Sequence, residues 1–275
     1  REEVLDLLEM LTGNRINYGM FMIGGVRRDI LTEQIPKIRE TLQYYKDAYQ
    51  TLEDVFLKDP SIALRTKNVG IMTYEDALHL ASVGPTARAS GVKKDVRQDQ
   101  PYSAYADIDI KAITPDIYSG EINGDVYDRI IVRILEVFQS VQIIEYCLDN
   151  LPEGEILSEP KIVKLLGILK KAKGEGVGRH EAPRGEVIHY IKLNESENPE
   201  VWKARAPTYN NLMSWLPMLQ KQEIADIPIV IASIDPCIGC MDRVTLVDSG
   251  SNKKQVLTRE ELVRLSIEKT RRMLR

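Results

Sequence analysis

Apolar residues recur at helical spacing along two long stretches of the chain. Residues 32–57 form one such stretch, and Asp59-Pro60 marks its end. In residues 126–150 the apolar positions advance in steps of four and three, which predicts a long helix with one inward face. That inward face comprises Val126, Ile130, Ile134, Val137, Val141, Ile144 and Leu148. Shorter periodic stretches predict helices before Gly13 and at 73–82, 208–220 and 258–273.

Alternating apolar and polar residues predict two small β-ribbons. One lies near 175–206, and the other is a hairpin at 244–258 with its turn at 249–252. Residues 227–235 are compatible with a buried strand or a helix end. The segment 84–123 is rich in turn-forming residues. The pattern therefore predicts a mainly α fold with small β-ribbons (α+β), arranged as a helical bundle.

Composition narrows the class of protein further. The formal net charge is -4 with 28% charged residues, which argues against a nucleic-acid partner. No stretch approaches the roughly 18 unbroken apolar residues of a membrane helix. We therefore expect a soluble chain whose membrane association comes through partner subunits. The three cysteines do not make a disulfide framework and suit a reducing cytoplasm.

The sharpest chemical feature is the pair Cys237 and Cys240, separated by two residues. This spacing lets both sulfurs bind one ion, and thiolates are soft ligands that select nickel, iron, zinc or copper(I). A single such pair is also compatible with half a zinc site, a redox pair or two buried structural thiols. The chain's three histidines are scattered, which argues against a self-contained zinc site.

Four sequence motifs, in order along the chain, carry a resemblance to one family. They are NRINY followed by IGGVRRDI, then VGPTARASG, then EAPRGE followed by His189, and finally SIDPCIGCMDR. Together they resemble the large, catalytic subunit of membrane-bound energy-converting nickel–iron hydrogenases. That branch is related to the quinone-reducing large subunit of respiratory complex I and to the archaeal membrane-bound sulfane sulfur reductase. The resemblance implies a large-subunit-like helical bundle.

The resemblance also implies a metal site. Cys237 would be a terminal nickel ligand, and Cys240 would bridge nickel and an iron that carries carbon monoxide and cyanide. Arg184 and Ser233 would offer positive charge and hydrogen bonds to the cyanide groups. The surrounding positions implied by the same motifs are Asp235, Pro183, Glu181 and Arg243.

In this family four cysteines hold the metals, and the other two form a CxxC near the N-terminus. The chain has none there and begins at Arg1, within a helix. We therefore expect the C-terminal part of a single large-subunit-like domain over 1–275, with a helical bundle in 1–150 and the β-ribbons and metal motif in 151–275. The missing N-terminal part of the large subunit would complete the nickel–iron centre.

The implied partners are an iron–sulfur small subunit with four-iron four-sulfur clusters, ferredoxin as electron source, and membrane subunits that pump ions. Electrons would reduce protons to hydrogen at the cytoplasmic face of the cell membrane. Two rivals remain. A sulfur- or polysulfide-reducing paralogue is favoured by the absent cysteines and by the tail after Arg243, where hydrogenase large subunits are typically cut. A complex I-like scaffold without metal is disfavoured by the two retained cysteines.

Several charged residues could have a purely structural role instead. Arg184 is equally compatible with an ordinary ion pair to Glu181 or Glu186. We expect the contact with the iron–sulfur subunit to be lined by Arg27, Arg28 and Asp29. The alternative is that these residues cap the next helix. A further set is predicted to form ion pairs that order a loop: Arg88, Asp95 and Arg97.

Overall fold

The structure is a computed structural model that describes residues 1–241, 246–247, 250, 254–255 and 257–273. The chain forms two compact units, Arg1–Pro236 and Cys237–Arg275. The predicted organisation as one large-subunit-like domain stays a prediction. In the part of the chain described here, no helix has the length and apolar character needed to cross a bilayer.

Helices dominate the first unit. They are α1 Glu2–Thr12, α2 Ile35–Lys58, α3 Pro60–Thr66, α4 Tyr74–His79, α5 Gly84–Arg88, α6 Val96–Asp99, α7 Asp116–Ser119, α8 Val126–Asp149, α9 Ile162–Leu169, α10 Pro207–Leu212, α11 Trp215–Met218 and α12 Ile227–Ser233. Three 3₁₀ turns lie at Thr32–Gln34, Ser103–Asp107 and Ile224–Asp226. The second unit contains α13 Ile238–Met241 and α14 Arg259–Met273.

The strands are short except in one sheet. They are β1 Phe21–Met22, β2 Gly25–Val26, β3 Lys173–Ala182, β4 Gly185–Asn194, β5 Val201–Arg205, β6 Leu246–Val247 and β7 Lys254–Gln255. β3, β4 and β5 pair antiparallel in that order, and β6 pairs antiparallel with β7. The predicted mainly helical fold with small β-ribbons is confirmed. The turn predicted at 249–252 lies, apart from Gly250, outside the described residues.

The long helix α8 is the centre of the first unit and packs on α2, α3, α5 and α12. Its start is fixed by Asp125, whose side chain accepts hydrogen bonds from the amides of Asp128 and Asn68. The predicted inward face is buried or half-buried at most positions, but Ile144 is 41% exposed. In its first two turns α8 is buried on nearly all sides, so polar Asp128 and Arg129 are buried with the apolar residues.

The structure corrects one sequence prediction for the second half of the unit and decides between the two alternatives of another. The single helix predicted at 208–220 is broken into α10 and α11. Pro217 has no amide hydrogen to donate to the carbonyl of residue 213, where a continuous helix would require it. Residues 227–233 form helix α12 rather than a strand, and Pro228 lies in its first turn. The helices that were not predicted are α3, α5, α6, α7, α9 and α13.

The EAPRGE and VGPTARASG segments meet through two glycines. β3 and β4 are joined by the two-residue turn Pro183-Arg184, with Ala182 paired to Gly185. Gly84 begins α5, and a Cβ added there would lie 2.4 Å from Gly185 Cα. A Cβ on Gly185 would lie 2.6 Å from Gly84 N, and both residues have positive φ. Only glycine fits at this crossing of two backbones.

We predict that Gly185→Ala lowers the free energy of unfolding by about 2–5 kcal/mol, because it adds both backbone strain and overlap with Gly84. Gly178→Ala, in the same sheet with open space around its Cα, is the matched control and should raise stability by about 0.5–1 kcal/mol. Guanidinium denaturation measures both. Equal stability of the two variants would contradict the close approach.

Candidate functional site

Arg184 extends from the β3–β4 turn to the segment before the cysteine pair. Its Nε donates to the Asp235 carbonyl oxygen at 2.5 Å, and its Nη2 donates to Asp235 Oδ1 at 3.1 Å. The alternative ion pairs suggested for Arg184 are wrong, because Glu181 pairs with Arg88 and Glu186 pairs with Arg205. Arg184 therefore forms its hydrogen bonds and its ion pair with Asp235.

Ser233 and Asp235 are also held by two arginines of α8. Arg129 Nε donates to Ser233 Oγ at 2.9 Å, and Arg133 Nη2 donates to the Ser233 carbonyl oxygen at 2.9 Å. Arg133 Nη1 lies 3.8 Å from Asp235 Oδ2. Asp235 itself has a left-handed backbone with φ 53. Three guanidinium groups thus fix a three-residue segment whose backbone is strained.

Arg129 is fully buried, and each of its three guanidinium nitrogens donates a hydrogen bond. Besides Ser233, it donates to the carbonyl oxygens of Gly124 at 3.0 Å and Gly70 at 2.6 Å. Burial lowers the pKa of Arg129 to about 9, which leaves it charged at neutral pH. Burial also lowers the pKa of Arg133, partly offset by the negative charge of Asp235. The segment around Ser233 is therefore an electropositive environment.

Glu181 belongs to a second buried charge cluster beside this segment. Arg88, 1% exposed, donates to Glu181 Oε1 at 2.9 Å and to Glu136 Oε1 at 2.7 Å. Asp95 pairs with Arg97 at 2.6 Å and lies 3.4 Å from Arg88. Burial alone would lower the pKa of Arg88, but its carboxylate neighbours raise it overall. The predicted ion pairs among Arg88, Asp95 and Arg97 are confirmed.

Asn211 is a buried residue of this region that the sequence analysis missed. Its side chain accepts from the Val83 amide at 3.0 Å and donates to the Arg184 carbonyl oxygen at 3.3 Å. It thereby joins the start of α5 to the β3–β4 turn. Pro183 lies exposed in the same turn.

The cysteine pair lies in the second unit. Cys237 Sγ and Cys240 Sγ are 2.9 Å apart, and both residues are half-buried. The amides of Cys240 and Met241 donate to the Cys237 carbonyl oxygen, which bends the chain and brings the two sulfurs together. Two thiols on one turn of chain can both reach one soft metal ion and so form half of a ligand set. Among the described residues, no group of three or more His, Cys, Asp or Glu residues is arranged to hold a metal. Arg243 lies outside the described residues.

The residues suggested for a subunit contact are exposed and do not cap the next helix. Arg27 Nη2 donates to the Thr12 carbonyl oxygen at 2.9 Å, so it closes the end of the preceding helix α1. Asp29 Oδ1 accepts from the amide of its neighbour Ile30. The adjacent β1–β2 ribbon presents Phe21, which is 92% exposed. Contact of Arg27, Arg28 and Asp29 with an iron–sulfur subunit stays a prediction.

Comparison with known proteins gives consistent matches. A family model described as "Respiratory-chain NADH dehydrogenase, 49 Kd subunit" matches residues 1–243. The chain is 46% identical to membrane-bound hydrogenase subunit alpha of Pyrococcus furiosus, over 98% of the chain and 64% of that protein. It is 36% identical to formate hydrogenlyase subunit 5 of Escherichia coli, over 98% of the chain and 45% of that protein. It is 35% identical to an NADH-quinone oxidoreductase subunit from a Roseiflexus species, over 88% of the chain and 64% of that protein. The chain thus spans about half to two thirds of these relatives.

We predict that Arg129→Met lowers the free energy of unfolding by roughly 3 kcal/mol or more, because each orphaned buried acceptor costs about 1–3 kcal/mol. Arg39→Met is the control, since Arg39 forms an exposed pair with Asp149 whose loss costs at most about 1 kcal/mol. Denaturant titration compares them. A loss below about 1 kcal/mol for Arg129→Met would show that this guanidinium does not hold α8 to α12.

Proposed function

The chain belongs to the family of the respiratory-chain NADH dehydrogenase 49 kDa subunit and the nickel–iron hydrogenase large subunits, and from that premise we propose that it supplies half of a nickel–iron site. In this proposal, Cys237 and Cys240 would be two of the thiolate ligands that hold the centre. The chain would act as the C-terminal part of the catalytic large subunit of a membrane-associated hydrogenase.

One observation carries the proposal: the sulfurs of Cys237 and Cys240 lie 2.9 Å apart, and they follow in the chain directly after a segment held by three arginines. A structural pair of thiols needs no such positive charge in the preceding residues. Thiolates and anionic metal ligands do need it, because a buried anion is stabilised by charged hydrogen-bond donors.

When bound, a nickel–iron centre supplies the redox chemistry that interconverts protons and hydrogen. The protein's own residues bind and orient it. Cys237 and Cys240 would provide two of four thiolates, and a CxxC in the N-terminal part of the large subunit would provide the others. Among the residues that the structure describes, Arg184 Nη1 has no hydrogen-bond partner, so it would be available for an anionic ligand while Asp235 holds Nε and Nη2. Ser233 and the positive field of Arg129 support the same role.

Membership of the family supports a proposal for the assembly. We propose that an iron–sulfur small subunit passes electrons from ferredoxin through four-iron four-sulfur clusters, and that Arg27, Arg28 and Asp29 contribute to that contact. Protons are the acceptor, and membrane subunits use the released energy to pump ions. The chain would lie at the cytoplasmic face of the cell membrane as a peripheral part of this complex.

Two other functions are distinguished by specific features. A scaffold that only shapes a quinone pocket has no use for two adjacent thiols. A sulfur- or polysulfide-reducing paralogue would keep them. The tail after Arg243 does not favour that paralogue, because the alignment with the Pyrococcus furiosus hydrogenase subunit covers 98% of the chain and so includes most of the tail.

We predict that Cys237→Ser or Cys240→Ser reduces the nickel content of the assembled complex to background, since each removes a thiolate ligand. Cys147→Ser is the matched control: this cysteine lies on α8, is half-buried and should leave nickel unchanged. Plasma mass spectrometry of the purified complex measures the metal. A wild-type complex without nickel would refute the hydrogenase proposal.

We predict that the complex evolves hydrogen when supplied with reduced ferredoxin, and that Arg184→Lys lowers this rate at least about tenfold while nickel remains bound. Lysine keeps the charge but cannot hold Asp235 through two nitrogens at once. Gas chromatography of the headspace gives the rate. Sulfide production from polysulfide, without hydrogen evolution, would instead establish the sulfur-reducing alternative.

A further inference from the structure

An open cavity of about 380 Å³ lies in the first unit, between α5, α6, α8 and the β3–β4 turn. Its lining includes Pro183 and Asp235, and also Tyr105 and the exposed residue Ser140. Glu136 and Glu181 line the same space. The cavity therefore connects the protein surface with the segment that precedes Cys237 in the sequence.

The two glutamates of this cavity differ in how their oxygens are bonded. Its Oε1 is fixed by Arg88 at 2.7 Å, whereas its Oε2 has no hydrogen bond to any residue that the structure describes. Glu181 uses both of its oxygens, one for Arg88 and one for the Val96 amide. Of these two glutamates, Glu136 thus combines an anchored oxygen with one left for water in the cavity.

The charges facing Glu136 come from each element packed around it. Arg88 of α5 and Arg97 of α6 favour its ionised form, while Asp95 opposes it. Glu181 of β3 shares Arg88 with it, and Arg133 lies one turn earlier on α8. Burial outweighs the arginines and raises the pKa of Glu136 above its ordinary value. Because burial favours its neutral form and the arginines favour its ionised form, this carboxyl can both bind and release a proton.

We propose that Glu136 carries protons between solvent and the Asp235 segment through this cavity, and so serves the candidate metal site. A hydronium ion entering beside Ser140 gives its proton to Glu136 Oε2 and leaves as water. Glu136 then passes that proton to cavity water beside Asp235 and returns to its carboxylate form. One proton moves for each electron consumed in hydrogen evolution. This proposal rests on the proposed function.

The test replaces Glu136 by glutamine in the assembled complex, because Glu136→Gln keeps an oxygen for Arg88 but cannot carry a proton. We expect unchanged nickel content, hydrogen evolution at least about tenfold slower, and a larger slowing in D₂O than in the wild type. Glu145→Gln is the control: it lies on the same helix, pairs with Lys46 and should change the rate less than about twofold.

A rate within about twofold of wild type for Glu136→Gln would overturn the proposal, as would loss of nickel or of thermal stability, which would mean a structural role. If the wild-type complex lacks nickel, the proposed function fails on its own, and Glu136 is tested by infrared pH titration. A carboxyl band absent from Glu136→Gln should then titrate above the ordinary glutamate pKa of about 4.3. Titration at or below that value would overturn the inference.

Discussion

The interior of this protein is organised around guanidinium groups that have no access to water. A buried charge is costly unless every donor finds an acceptor, so the position of Arg129 dictates the position of the backbone around it. Gly70, Gly124 and Ser233 come from three separate parts of the chain, and each supplies one oxygen to this side chain. Arg88 imposes the same demand on three carboxylates.

This constraint explains why the segment before the cysteine pair can keep an unfavourable backbone conformation. Asp235 is held at positive φ by both Arg184 and Arg133. Strain of this kind persists only where the surroundings over-determine the geometry. Together with Arg129, these arginines give the segment a positive potential. Anionic ligands and thiolates are stabilised by such a potential. The same arginines therefore serve both the packing of the fold and the chemistry proposed for the site.

Part of the fold could be predicted from the sequence because it follows from periodicity. The apolar stripe of α8 and the alternation in β3 and β4 each depend on neighbouring residues only. The break between α10 and α11 was missed, although Pro217 carried the information. Helix α9 was missed because it spans only eight residues; its apolar residues have helical spacing, but most of them are exposed.

The chemistry of the site was only partly predictable. The motifs indicated Cys237, Cys240 and Arg184, but the partner of Arg184 lies 51 residues away and depends on the folded structure. Arg129, Arg133 and Glu136 were overlooked because charged residues on a helix are usually assigned to its solvent face. Their spacing of four and three residues places them on one face of α8, and this regular spacing could have indicated a shared charged face.

We infer that α8 and the β3–β4 turn immobilise residues 230–235, and amide hydrogen exchange in the assembled complex measures this immobilisation. Amides of residues 230–235, including the Asp235 amide bonded to Ala232, should exchange as slowly as those of Ile131 and Val132 in the core of α8. Exchange as fast as in the exposed helix α14 would show that the arginines do not hold the segment.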